Sequence, residues 1–133
     1  MRSLRVMIIE DEPLIALLFE DVLSEMGHKV CASERTEAGA IESAARCQPD
    51  LIIVDARLRE GCGIDAVNAI LTARFIPHLF VSGDLIDRKS INPAAGVLQK
   101  PFQERQLIEA IGRAIDPANV LIGTMHAKYL RRS

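Results

Sequence analysis

Residues 51–55 read LIIVD. Four apolar residues in a row, mostly β-branched, are too few for a helix and suit a strand buried on both faces. The run ends on a carboxylate, Asp55. Pro49 closes the segment before it. Gly61 and Gly63 mark a loop after it, and Ile64, Val67, Ile70 and Leu71 then fall on one face of a helix.

The same alternation extends in both directions. Upstream, Arg5–Ile9 (RVMII) is a second buried strand. Pro13 suits a first helical position, Leu14, Leu18 and Val22 with Ile15, Leu23 and Met26 form a 3.6-period stripe, and Gly27 ends the helix. A weaker strand covers His28–Ala32. Thr36 can cap a helix that turns Ala38, Ile41, Ala44 and Ala45 to the core. Downstream, His78–Val81 (HLFV) and Gly96–Leu98 are strands. Residues 84–95 between them are irregular, with Pro93 limiting any helix. Leu107, Ile108, Ile111 and Ile115 define a last amphipathic helix that stops at Asp116-Pro117. Five strands alternating with five helices predict an α/β domain over residues 1–116. Its five-stranded parallel sheet is doubly wound, with helices on both faces. Residues 117–133 are a tail in which Leu121, Met125 and Tyr129 recur at i, i+4 and i+8. A short helix there could pack on the domain or on a second copy as a homodimer.

Composition narrows the function classes. The chain has 133 residues, 49% of them apolar, enough for one core. No run approaches the ~18 apolar residues of a membrane span, and the first residues lack a cleavage site. Acidic residues dominate positions 1–55 and basic ones the remainder, but the basic residues are scattered and tryptophan is absent. DNA and other nucleic acids are therefore not expected as partners, and neither is a membrane. Cys31, Cys47 and Cys62 are odd in number and lack ligand spacing. The expectation is no disulfide framework, no zinc site and a cytoplasmic location. His28, His78 and His126 are scattered too, and read as structural or exposed.

In doubly wound sheets, ligands sit beyond the carboxyl ends of the strands, where the winding reverses. Glu10, Asp11 and Glu12 follow the first strand there, and Asp55 follows the third. Alone, the triplet could simply complement a helix dipole. Gathered with Asp55, the carboxylates suit a hard cation such as Mg2+. The fourth strand ends in Ser82-Gly83 and the fifth in Gln99-Lys100-Pro101-Phe102. A carboxylate, a cation, a hydroxyl and an ammonium form the set that phosphoryl transfer to an aspartate needs.

VMIIEDEPLI, LIIVDARLREGCGID and VLQKPF together resemble the receiver domains of two-component response regulators, over about residues 4–116. The resemblance implies the flavodoxin-like fold and an aspartyl-phosphate switch, not an enzyme in its own right. By it Asp55 is the phosphoacceptor, Ser82 the switch hydroxyl and Lys100 the phosphoryl partner. Glu10, Asp11, Asp55 and the Arg57 carbonyl hold Mg2+, and Lys100-Pro101 is a cis peptide. Arg57 and Asp84 flank the mouth of the site and should face each other. Two positions depart from the family pattern: Arg59 stands where a proline is usual, and Val97 where an aromatic is usual. Phe80-Val81-Ser82-Gly83 and its surroundings resemble an atypical alphaproteobacterial subgroup, often stand-alone and acting with HWE-type histidine kinases. The implied partners are a sensor histidine kinase or phosphotransfer protein and an unknown downstream protein. Two alternatives are a Mg2+ phosphatase of the haloacid dehalogenase type and a receiver that binds partners without phosphorylation. The first requires an aspartate two residues after Asp11, where this chain has Pro13.

Overall fold

The computed structural model describes residues 2–132. Strands β1 (Arg5–Ile9), β2 (Lys29–Glu34), β3 (Leu51–Asp55), β4 (His78–Ser82) and β5 (Gly96–Gln99) form one parallel sheet in the order β2-β1-β3-β4-β5. The continuous apolar runs β3 and β4 are buried along their whole length, as is β1 after Arg5. The mixed strands β2 and β5 take the edges. The winding reverses between β1 and β3, which brings Ile9 level with Val54 and their following acids to one edge.

Helices α1 (Pro13–Glu25) and α4 (Glu104–Ala114) cover one face, where Phe19, Leu23, Leu107 and Ile111 meet Ile8, Ile53 and Leu79. Helices α2 (Glu37–Cys47) and α3 (Gly63–Ile70) cover the other, with Ala40, Val67 and Ile70 against Met7, Ile52 and Phe80. The architecture is the predicted doubly wound sheet.

Several local expectations need correction. The β4–β5 crossover contains a single 3-10 turn (Arg88–Ser90) in place of a helix. Ile86, Ile91 and Ala95 cover the sheet there. Helix α1 carries two apolar stripes, and the one containing Phe19 is buried because its ring removes more surface from water. Leu14, Leu17 and Leu18 therefore lie exposed. Helix α2 is rich in alanine, so its phase is weakly encoded. Ser43 donates to Glu34 at 2.7 Å, and Ala40, Ser43 and Ala44 face inward while Ala38, Ile41 and Ala45 do not.

The expected absence of a disulfide is overturned. Cys31 and Cys47 are bonded, joining β2 to the end of α2 with their Cα atoms 6.3 Å apart. They lie 16 positions apart in sequence, but the strand-to-helix turn folds that distance away. Cys62 is the remaining free thiol.

A fifth helix, α5 (Pro117–Arg132), follows α4. It buries Gly123 and Ala127, and Ala127 packs with Phe75 and Ala94. Asn119 donates to the Ala94 and Ala114 carbonyls at 2.8 and 3.2 Å. His78 is fully buried beside Phe75 and Phe80. Burial holds its imidazole below the ordinary value, opposed by the Nδ1 bond to the Ile76 carbonyl at 2.7 Å. Among the described residues, no helix is long and apolar enough to cross a membrane.

Candidate functional site

Strands β1, β3, β4 and β5 deliver Glu10, Asp55, Ser82 and Lys100 to one crevice. Because parallel strands begin and end in register, residues just past their carboxyl ends converge without further design. One oxygen each from Glu10, Asp11 and Asp55 lies within 4.8 Å of the others. Asp55 Oδ2 pairs with Lys100 Nζ at 3.0 Å, and Asp55 Oδ1 accepts the Arg57 N–H at 2.9 Å. Burial works against the Lys100 charge, but the Asp55 carboxylate raises its pKa above the ordinary value. Lys100-Pro101 is cis, as the resemblance implies.

Glu10 is 2% exposed and its Oε1 has no hydrogen-bond partner. Burial first, then the Asp55 charge, pushes its carboxyl up to about 7; the Glu12 N–H opposes this at 3.2 Å. Such a carboxylate is charged reluctantly unless a cation joins it. The donor set fits Mg2+: hard oxygens, like charges in contact and one buried oxygen without a partner.

The raised Glu10 value has a consequence for stability. Between pH 4.5 and about 7 the folded chain holds a proton that the unfolded chain has lost. Stability contributed by Glu10 therefore falls as pH rises through that window, by on the order of 3 kcal/mol. His78 acts oppositely: its depressed value makes the fold lose stability as pH falls through 6.5. Comparing wild type with Glu10→Gln in chelator isolates the first effect. Melting curves across the window should show the variant gaining on wild type as pH rises. A constant difference would show that Glu10 keeps its ordinary value.

Ser82 departs from the simple expectation. It stands at the crevice, but its hydroxyl donates to the Asp84 carbonyl at 2.8 Å and accepts the Asp84 N–H at 3.1 Å. The hydroxyl is thus tied to its own loop. Arg57 and Asp84 meet across the mouth at 3.2 Å, both largely exposed.

Three contributors escaped sequence reading. The Arg59 N–H donates to Asp11 Oδ2 at 2.7 Å, and its guanidinium approaches the same oxygen at 4.0 Å. A proline at 59 could not make that bond, so the departure from the family pattern adds a tie to the acidic pocket. Glu37, at the start of α2, accepts the Cys62 N–H at 2.9 Å, and its own N–H donates to the Glu60 carbonyl at 3.3 Å. Its position beside a capping threonine gave no hint of a partner 25 residues away.

Gly63 is the third. Its N–H donates to Ala56 O at 3.1 Å, and a Cβ there would collide with the Asp55 carbonyl oxygen and come within 2.8 Å of Val54 Cγ2. Gly63→Ala should cost at least about 2 kcal/mol, since the obstacle is backbone that cannot rotate away. Gly112→Ala in α4 meets nothing within 4 Å and should gain about 0.5–1 kcal/mol from helix propensity. Denaturant midpoints measure both; equal small effects would refute the packing argument.

The chain matches the response regulator receiver domain family over residues 6–112. It belongs to that family. The receiver is 35% identical over 115 residues to PdtaR, a transcriptional regulatory protein of Mycobacterium tuberculosis, covering 84% of this chain and 56% of that one. It is 34% identical to PhyR of Methylorubrum extorquens, covering 83% and 43%. It spans about half the length of these curated relatives. Its fold is similar to the receiver domain of Erythrobacter litoralis PhyR, with TM-score 0.76 and 34% identity over 85% of this chain and 90% of that one. Receivers are the phosphoacceptor modules of two-component signalling, and they typically bind Mg2+ at an acidic cluster such as the one described.

Proposed function

We propose that Asp55 is the phosphoacceptor of this receiver, with Lys100 and Ser82 as its partners and Mg2+ held by Glu10, Asp11, Asp55 and the Arg57 carbonyl. The observation that carries this reading is the convergence on Asp55. Its carboxylate is 3.0 Å from Lys100 and within 4.8 Å of two further acids, one with a buried oxygen lacking a partner.

A carboxylate oxygen of Asp55 forms the bond to phosphorus as the bond from phosphorus to the donor breaks. The donor is a phosphohistidine on a sensor histidine kinase or phosphotransfer protein. Bound Mg2+ would neutralise charge on the phosphoryl oxygens. The Lys100 ammonium, already at the carboxylate, moves its hydrogen bond to a phosphoryl oxygen. The Arg57 N–H keeps the other carboxylate oxygen oriented. Ser82 reports the event: its hydroxyl must leave the Asp84 carbonyl to reach the phosphoryl group, which loosens residues 83–95. The downstream protein reads that change, so the chain is a phosphoacceptor switch and not an enzyme acting on other molecules. A cytoplasmic site of action and a kinase of the HWE type accord with this reading. Intact mass after incubation with acetyl phosphate tests it: one phosphoryl group should be gained with Mg2+ and none with chelator.

The Arg57–Asp84 pair sets the lifetime of the product. Its exposure limits it to about 0–1 kcal/mol of stability. Its place across the mouth obstructs a water in line with the phosphorus–oxygen bond. Arg57→Ala with Asp84→Ala should shorten the lifetime several-fold with little change in Tm, and the single changes should be non-additive. An unchanged lifetime in the double variant rejects the lid.

A further inference from the structure

The disulfide sits at one end of a helix whose other end holds the loop after Asp55. Helix α2 is weakly anchored between those ends. Its buried residues are only Ala40, Ser43 and Ala44, and a groove of about 270 Å³ runs along it and α3, lined by Ile41, Ala45, Ala69 and Ala73 among others. At the amino end, Glu37 ties Cys62 and Glu60. At the carboxyl end the covalent tie is Cys47 to Cys31 of the edge strand β2, with both residues partly exposed. Small buried side chains remove little surface from water, so helix position rests on such end ties together with the single Ser43–Glu34 bond at 2.7 Å in its middle.

The surroundings of the sulfurs favour thiol chemistry. Arg5 Nη2 donates to the Cys47 carbonyl at 2.8 Å and lies 3.7 Å from Cys47 Sγ. The nearby acid, Asp50, accepts the Arg5 N–H at 2.9 Å and pairs with Arg2 at 3.6 Å. A guanidinium beside sulfur favours the thiolate, the form that attacks oxidants and disulfides. The carboxyl end of α2 disfavours it through the helix dipole, but Arg5 is the full charge in contact.

We propose that Cys31 and Cys47 form a reversible thiol–disulfide switch that fastens α2, and through Glu37 the loop carrying Arg57, so that the receiver responds to oxidant as well as to phosphoryl donor. The link to phosphoryl transfer rests on the assignment of Asp55; the redox chemistry does not. With a peroxide as oxidant, the Cys47 thiolate attacks one peroxide oxygen, giving a sulfenic acid and hydroxide. The Cys31 thiol then displaces hydroxide from that sulfur. Two thiols and one peroxide thus become one disulfide and two waters, and a dithiol reductant returns two electrons and two protons. In a reducing compartment, a partly exposed disulfide of this kind forms only when oxidant is present.

The full chain tests this directly. Dithiothreitol-treated protein should take three alkyl groups, one per cysteine, whereas hydrogen peroxide should leave one, with dithiothreitol restoring three. Cys62→Ser should preserve the two-thiol change and Cys31→Ser abolish it. A thiol count unmoved by peroxide, or a disulfide that dithiothreitol cannot open in the folded protein, would overturn the switch. Uptake from acetyl phosphate should be about 5-fold faster in the oxidised form, the lower end of ordinary coupling between sites. That ratio should vanish in Cys31→Ser. Equal rates alongside interconverting thiols would overturn the link from α2 to the loop. No uptake in either form would fall on Asp55, while the thiol counts would still decide the redox chemistry.

Discussion

Asp55→Asn is expected to remove phosphoryl uptake altogether while leaving the domain folded. The amide has the size and shape of the carboxylate, so it can still accept the Arg57 N–H that orients it, now at 2.9 Å. It cannot serve as the nucleophile, because its oxygen carries no charge and its nitrogen no available lone pair. The change also removes one of three gathered carboxylates, relieving repulsion on Glu10. Against that gain, Lys100 loses the partner that raises its pKa. The two effects oppose each other in a site open to water, so Tm should move little. Intact mass after acetyl phosphate treatment with Mg2+ is the readout. A phosphoryl group on the Asn variant would mean that another carboxylate, with Asp11 the first to examine, is the acceptor.

Asp11→Ala should remove most of the stabilisation expected from Mg2+. An ion that binds only the folded chain stabilises by mass action, about 2.7 kcal/mol at a hundredfold excess over Kd. Asp11 is more accessible than Glu10 and already closes the acidic pocket by accepting the Arg59 N–H at 2.7 Å. Its loss leaves Glu10 and Asp55 as the only acids of the cluster. Without metal the variant should change little: repulsion is relieved, but the Arg59 tie is lost. Thermal melts with Mg2+ and with chelator decide the matter. Equal Mg2+ shifts in the two proteins would place the ion elsewhere.

The sheet and the position of the crevice were legible because apolar runs of four or five residues, each ending on a polar group, are a local signal. LIIVD carries both strand and acid in five letters. What the sequence hid were facts of packing. The phase of α2 depends on a Ser43–Glu34 bond between helix and strand, and an alanine-rich helix shows no preferred face. Cys31 and Cys47 looked unrelated because only the β2–α2 turn brings them together. The orientation of Ser82 depends on the loop it caps, and the collision awaiting any Cβ at position 63 depends on the Asp55 backbone. The β4–β5 crossover was readable as irregular, since Pro93 bars a longer helix. That side chains from an extended segment would cover the sheet in a helix's place was not.

The docking of α5 gives the molecule a built-in optical reporter. There is no tryptophan in the chain, and its single tyrosine, Tyr129, lies on that helix, 70% exposed. Ultraviolet emission therefore senses α5 and almost nothing else, whereas far-ultraviolet dichroism sums over the sheet and every helix. If the two signals lose their native values at the same denaturant concentration, α5 and the sheet unfold as one cooperative unit. If emission changes first, the helix detaches from Phe75 while the sheet stands, and the wavelength chosen for a measurement decides which part of the molecule is being watched.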